Sequence, residues 1–234
     1  MKSYLADHRE HRKNVRVISK TKIADDGAGQ IIVDNKVAYI AHMSTGGITL
    51  VDVGNPHAPK VLSKVASPPN THSHKVQVSG DVMLINNERL GNVESWTAGI
   101  RVFDIADKTA PREIGFMPTT GKGAHRMWFV DGKYAHVTAQ PEGFTDCIYL
   151  ILDLSDPTSP TEVGRFWLPG MWEAGGEKPT WEESKKVRAH GPPYVCGDQA
   201  YLGWTDGGFT IIDISDYSKP RMVAHMSWCP PLAG

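Results

Sequence analysis

The chain has 234 residues, of which 40% are hydrophobic and 22% charged, a composition that fits an ordinary globular protein and excludes a disordered or coiled-coil chain. Its 25 basic and 26 acidic residues nearly balance, so no net positive field would draw it to nucleic acid or to an anionic membrane. Residues 1–12 form a charged N-terminal arm, and neither this arm nor any later segment has the apolar run of a signal peptide or a membrane span. We therefore expect a cytoplasmic protein without nucleic-acid or membrane partners.

A short sequence unit occurs four times along the chain. Each copy begins with an apolar, β-branched stretch that ends in an aspartate, and a turn rich in Ser, Asp, Asn and Pro follows it. The aspartates recur roughly every 50 residues, a period longer than that of solenoid repeats. They are Asp52, Asp104, Asp153 and Asp213.

Three further short runs accompany each aspartate, which makes one repeat a unit of four antiparallel strands. Two runs precede the aspartate-ending strand and meet at a hairpin turn such as that at Asp131 and Gly132. An alternating, half-exposed outer strand follows. Four-stranded units at this period, without helical patterns between them, predict the blades of an all-β propeller. The expected blades span about residues 30–67, 74–118, 125–168 and 190–228.

The repeat resembles that of the LVIVD-repeat family, whose signature is an apolar strand, V-D-[IV]-[SG]-[DN]-P-x-x-P and a following edge strand. The likeness runs from about Ile31 onward and recurs in register in all four units. It implies a β-propeller, and it implies no particular reaction. The four turns that carry the signature are 54–59, 106–111, 155–160 and 215–220.

A second, more local resemblance is to the selenium-binding protein or methanethiol oxidase family, whose members are metal-dependent propellers. It rests on Val51–Gly54 with Ala58–Lys60, and on His72–His74 followed by Ser79–Met83. This resemblance implies a metal in the channel of the propeller.

The N-terminal part holds an outer strand without its inner strands. Residues 13–20 read like the strand that follows the proline of each blade, but no inner strands precede them. In closed propellers such a strand completes the last blade, whose inner strands come from the C-terminus. The residues after Ser227 are too few to supply them. We therefore expect four visible blades of an incomplete, larger propeller, and a closed four-bladed ring with a spare arm is the alternative.

Histidines precede three of the four inner strands at equivalent places. If the blades radiate from one axis, His74, His125 and His190 converge on one channel mouth, and His72 can turn to the same place. Blade one carries the acidic residues 25–26 there. Imidazoles and carboxylates suit zinc, iron, copper or manganese. The sequence therefore predicts a transition-metal site formed by His72, His74, His125 and His190.

An insertion, residues 166–189, separates blade three from blade four. A long aromatic loop that leads into an axial histidine can cover the channel mouth as a substrate lid. The alternative is an ordered loop that covers the side of the blade or a partner subunit. The candidate lid residues are Trp167, Trp172, Glu173 and Trp181.

Two functions follow from these patterns. One is a metal-dependent enzyme, an oxidoreductase or a hydrolytic enzyme, that acts on a small molecule in the channel. The other is a non-catalytic scaffold that presents its loops to a protein partner, in which the histidines hold neighbouring blades in register. The motifs of nucleotide-binding proteins, serine hydrolases and zinc proteases do not occur in the sequence.

Overall fold

The structure, a computed structural model, describes residues 13–23, 27–43 and 46–227. In these ranges the ordered elements are almost all antiparallel strands, which confirms the predicted all-β fold. No helix in the described ranges is long and apolar enough to cross a membrane. In chain order the strands are β1 (Ala28–Asp34), β2 (Val37–His42), β3 (Ile48–Asp52), β4 (Lys60–Val65), β5 (Thr71–His72), β6 (Val76–Ser79), β7 (Val82–Arg89), β8 (Gly99–Asp104), β9 (Arg112–Pro118), β10 (Gly123–Trp128), β11 (Tyr134–Gln140), β12 (Ile148–Asp153), β13 (Thr161–Phe166), β14 (Tyr194–Cys196), β15 (Gln199–Gly203), β16 (Phe209–Asp213) and β17 (Arg221–Met226).

These strands form four blades of a propeller, each with four strands in chain order from the inside outward. Blade one contains β1–β4, blade two β6–β9, blade three β10–β13 and blade four β14–β17. The short strand β5 pairs with the end of β7 in blade two. Gly123 of β10 pairs with Glu88 of β7, so blades two and three share one continuous sheet.

The repeated aspartates close the turn between the third and the outer strand of each blade. In each turn the carboxylate accepts the backbone N–H two residues further on, over 2.7–2.9 Å. An Asx turn of this kind satisfies an amide that the strand has just released. The aspartates therefore have a structural role, and they lie at the outer side of the blades rather than at the histidines. The pairs are Asp52 with Gly54, Asp104 with Ala106, Asp153 with Ser155, and Asp213 with Ser215.

Neighbouring blades pack against each other through apolar cores. Tyr39, Leu50 and Phe103 belong to the core between blades one and two. A larger core joins blades two, three and four and contains the fully buried Tyr149 and Trp204. The β-branched and aromatic residues of the second and third strands supply most of these cores, since their side chains fit a pleated and buried surface.

A small residue on the outer strands of blades one, two and three lies against the turn of the next blade. The Ser63 hydroxyl donates to the carbonyl of Lys108 over 2.7 Å. A Cβ added at Gly115 would collide with the carbonyl of Pro157 in the next blade. The outer strands and turns of successive blades therefore approach so closely that a larger side chain does not fit there.

Residues 13–20 form no strand, contrary to the sequence prediction, because no strand in the described part of the chain pairs with them. They nevertheless lie where an outer strand would lie. The Ser19 hydroxyl donates to the carbonyl of Pro56 over 2.6 Å, and Pro56 has the same place in its turn as Lys108, the partner of Ser63. The segment thus contacts blade one as the outer strand of a preceding blade would.

The four blades form an open row in the described structure. No core contains residues of both blade one and blade four within the described ranges. Every residue of the outer strand β17 is exposed, including Met222, Val223 and Met226. This arrangement is that of a part of a propeller, as the sequence predicts. The charged arm 1–12 lies outside the described residues.

Candidate metal centre

Irregularities in the inner strands place the histidines at one end of the blades. In β10 the register shifts between Ala124 and Arg126, so His125 is the extra residue of a β-bulge. In blade two the inner strand is interrupted between β5 and β6, and His74 lies in the interruption. His190 precedes β14, and its backbone N–H donates to the carbonyl of Gly203 over 2.9 Å. Bulges and interruptions turn a side chain out of the regular alternation of a strand.

The four predicted histidines lie in one row. The rings of His72 and His74 are stacked with 3.9 Å between their centroids. The centroids of His74 and His125 are 5.2 Å apart, and those of His125 and His190 are also 5.2 Å apart. Side chains from blades two, three and four therefore meet at one end of the inner strands. Residues 25–26, which the sequence analysis placed near this mouth, lie outside the described residues.

Glu88 joins this row, although the sequence analysis did not identify it. Its carboxylate accepts hydrogen bonds from Nδ1 of His125 and from Nζ of Lys122, both over 2.8 Å, and its side chain is only 4% exposed. Strand β7, the second strand of blade two, continues to Arg89. Since β7 is antiparallel to the inner strand, its last residues lie beside the histidines.

Glu88 is ionised at neutral pH. Burial alone would raise the pKa of this carboxyl, but the hydrogen bonds and charges of His125 and Lys122 lower it to about 2. A carboxylate can only accept hydrogen bonds, so Nδ1 of His125 carries the proton. Nε2 of the same ring is buried and has no hydrogen-bond partner in the described structure.

The other histidines are held in the neutral form. Burial, followed by the charges of His72 and Lys75, lowers the pKa of His74 to about 2. Burial also lowers the pKa of His72. For His190, burial and then the charges of nearby arginines lower the pKa to about 4. Neutral imidazoles are the form that binds metal ions.

His72, His74 and Glu88 form a group that could hold a metal ion. Each offers one ligand atom, and the three atoms lie within 4.8 Å of one another. Nε2 of His72 and Nε2 of His125 are buried and have no hydrogen-bond partner in the described structure. Buried polar atoms without a partner are costly, and a bound ion or ligand would satisfy them. The donor set and its burial therefore fit a transition metal.

Basic side chains surround the row. Lys75 follows His74 in the chain, Arg126 follows His125, and Arg188 precedes His190 by two residues. Burial and then the charge of Arg126 lower the pKa of Lys75. Burial and then the charge of Arg188 lower the pKa of Arg126. Arg126 therefore lies within electrostatic range of both Lys75 and Arg188.

The insertion packs on blade three and reaches toward blade four. The Trp167 ring contacts Phe144 with 5.3 Å between centroids, and Trp172 lies 5.7 Å from Trp167. The Glu177 carboxylate accepts the backbone N–H of Trp172 over 3.1 Å and Nε1 of Trp167 over 3.2 Å. Glu173 begins a single exposed 3-10 turn. These contacts give the loop a fixed shape at the outer part of blade three.

Trp181 lines a separate open pocket of about 370 Å³ together with Leu168, Val187, Met222 and His225. This pocket lies between the insertion and the outer strand of blade four. The described ring contacts of Trp167 and Trp172 are with each other and with Phe144, not with the four histidines. A lid function for these residues stays a prediction.

Two comparisons concern the sequence itself. A family model described as LVIVD repeat matches residues 25–66, 124–167 and 194–227, which together make up just over half of the chain. It does not match blade two, which nevertheless folds as the other blades do. Comparison with curated proteins gave no match.

Comparison with solved structures shows the same fold at low sequence identity. A protein from Lactobacillus plantarum is 14% identical, with a TM-score of 0.62 over 84% of this chain and 56% of its own. A functionally unknown protein from Desulfotomaculum acetoxidans is 14% identical, with a TM-score of 0.60 over 91% of this chain and 62% of its own. A hypothetical selenium-binding protein from Sulfolobus tokodaii is 11% identical, with a TM-score of 0.59 over 88% and 50%.

The chain thus spans between half and about three fifths of the length of these three proteins. Identities this low support the fold and carry no function from one protein to another. The repeated strands, the turns that the aspartates close and the family match agree with one another. The chain belongs to the LVIVD-repeat family.

Proposed function

We propose that the protein binds a transition-metal ion at the channel mouth through His72, His74 and Glu88, and that the ion acts on a small molecule in the channel. The imidazole and carboxylate donors suit zinc, iron, copper or manganese. When bound, such an ion supplies Lewis-acid or redox chemistry, as in a hydrolytic enzyme or an oxidoreductase.

The observation that carries this proposal is the closeness of three metal-binding side chains, one of which has a buried ring nitrogen without a protein partner. The three ligand atoms already lie within 4.8 Å of one another, and Nε2 of His72 is buried without a hydrogen bond in the described structure. Ligand distances of about 2.0–2.2 Å need only a small contraction of this group.

His125 and His190 extend the site beyond the ion. Glu88 holds the proton of His125 at Nδ1, which leaves the lone pair at Nε2 for a molecule in the channel. A group with this orientation can accept a proton from a bound small molecule, as a general base does. His190 lies on the far side of His125, where it can contact the same molecule.

The first test is to purify the protein without an affinity tag and to measure its metal content by inductively coupled plasma mass spectrometry. We expect close to one transition-metal ion per chain. We expect His74→Ala to lose this ion and Glu88→Gln to bind it more weakly. Removing one ligand or one orienting group lowers metal affinity by about 10–100-fold or more.

Two variants serve as controls. His57→Ala removes an exposed imidazole on a blade-one turn and should leave the metal content unchanged. The double variant His8→Ala/His11→Ala removes two histidines of the charged arm that could bind metal on their own. Metal that is lost with the arm histidines and retained in His74→Ala would contradict the proposed site.

The alternative function is a scaffold for a protein partner. The exposed outer strand β17, with Met222, Val223 and Met226, favours it. The metal measurement separates the two functions, since a scaffold needs no stoichiometric ion. A chain that binds no metal after incubation with zinc, iron, copper and manganese would favour the scaffold.

A further inference from the structure

Blades two, three and four each carry one cation within two residues of the histidine in the sequence. Lys75 and Arg126 each follow the histidine of their inner strand, and Arg188 lies two residues before His190. The three positively charged groups therefore accompany the imidazoles from blade to blade. A metal ion is itself positive, so a metal site by itself gives no reason for cations at these places.

These cations are partly or fully buried, and two of them, Lys75 and Arg126, lack acidic partners among the described residues. Lys75 is only 8% exposed, and no ion pair of Lys75 or Arg126 occurs among the described residues. Nε of Arg126 and Nε of Arg188 are buried without a hydrogen-bond acceptor there. Buried charges without a partner are unfavourable because they lose the solvation of water.

Among the described residues, the acids near the row do not balance these charges. Both oxygens of Glu88 are already engaged, one by His125 and the other by Lys122. Asp146 lies 4.0 Å from Arg188 and is the acid nearest to that guanidinium in the described ion pairs. Lys75 and Arg126 therefore leave an excess of positive charge beside the histidines.

We propose that the channel mouth binds the oxyanion group of a small molecule between Lys75, Arg126 and Arg188, beside the histidines. A carboxylate, sulfonate or phosphate group matches the planar donors of a guanidinium, which bind two oxygens of one anion in parallel. The inference deepens the proposed function, on which it rests, by naming the class of its substrate. The anion itself is held by the three cations and needs no metal.

The test is binding of acetate and of sulfate, measured by calorimetry at constant ionic strength on protein treated with a chelator. We expect saturable binding of at least one of them, and we expect Arg126→Gln to weaken it by 10-fold or more. Lys60→Gln, which removes an exposed lysine of the outer strand β4, is the matched control and should bind as the unchanged protein does.

Lys75→Gln provides a second variant if Arg126→Gln does not fold, and it should weaken binding in the same way. Absence of binding of both anions, or equal binding by the unchanged protein and both channel variants, would overturn the inference. Its failure can be distinguished from failure of the metal proposal by the metal content of the same samples. Anion binding by a chain that takes up no metal supports this inference and contradicts the metal site, and metal uptake without anion binding does the reverse.

Discussion

Histidine has two different roles in this chain, and the surroundings of each ring decide between them. His74, His125 and His190 meet other imidazoles at one end of the inner strands. His136, on the second strand of blade three, is buried inside a blade and hydrogen-bonded with the hydroxyl of Tyr149 over 2.6 Å. The histidines of the first group are placed to bind an ion or a small molecule, whereas His136 is part of the core.

His136 should make the stability of the protein depend on pH. Burial lowers its pKa from 6.5 to about 4, so folding keeps the ring neutral while the unfolded chain binds a proton. The stabilisation is complete above pH 6.5 and is lost as the pH falls from there toward 4. Between pH 7 and pH 5 the loss from this residue is about 2 kcal/mol.

Urea unfolding at pH 7 and at pH 5, for the unchanged protein and for His136→Gln, measures this effect. We expect the unchanged protein to lose about 2 kcal/mol more than the variant over this interval. Other buried histidines contribute equally to both proteins and cancel in the comparison. An equal loss in both proteins would show that His136 is not kept neutral by the fold.

The sequence predicted the row of histidines but not the residue that organises it. The equivalent places of His74, His125 and His190 are visible in the sequence because they recur before the inner strands. Glu88 does not recur, and its role depends on how far β7 extends. The partners of a side chain at a strand end follow from the register of two strands, which a hydrophobic pattern does not fix to the residue.

At the scale of the strands, one repeated contact holds successive blades together. The outer strand offers a small residue, and the turn of the next blade brings a backbone carbonyl against it. The backbone carbonyl of Tyr217 in blade four lies against Gly164 of blade three in this way. Its counterpart in blade four, as the strand register shows, is Ala224. Ala224 is exposed, because no further turn lies against it in the described structure.

This difference predicts opposite results for the same kind of substitution. Gly164→Val should lower the free energy of unfolding by about 1–3 kcal/mol, since the side chain collides with the Tyr217 carbonyl. Ala224→Val should change it by less than about 0.5 kcal/mol, since that position is exposed. Thermal or urea unfolding of the two variants measures both values. Equal destabilisation by the two substitutions would show that the close contact between blades does not explain the effect of Gly164→Val.

The N-terminal segment shows what sequence similarity can and cannot predict for an element. Val17–Lys20 and Val61–Lys64 both read Val, then Ile or Leu, then Ser-Lys, so the sequence indicated an outer strand. The place of that segment against blade one agrees with this pattern, as the contact of Ser19 with Pro56 shows. Its conformation differs, because a strand exists only where a neighbour provides hydrogen bonds.

At the scale of the whole molecule, the repeat makes one site out of several blades. The four-stranded blades and their order followed from a period in the sequence, since a repeat specifies every copy at once. Two other features could not be predicted from the period, because each occurs only once. They are the stacking of His72 on His74 and the contact of the insertion with Phe144. Features outside the repeat depend on contacts that no periodicity reports.

The proposed metal centre is formed by His72, His74 and Glu88 of blade two, beside the histidines of blades three and four. Anomalous X-ray diffraction from crystals of the metal-loaded protein tests it most directly. We expect one strong anomalous peak about 2.0–2.2 Å from a nitrogen of His72, a nitrogen of His74 and an oxygen of Glu88. A metal peak only at the N-terminal arm, or no peak beside these three residues in protein that contains metal, would contradict it.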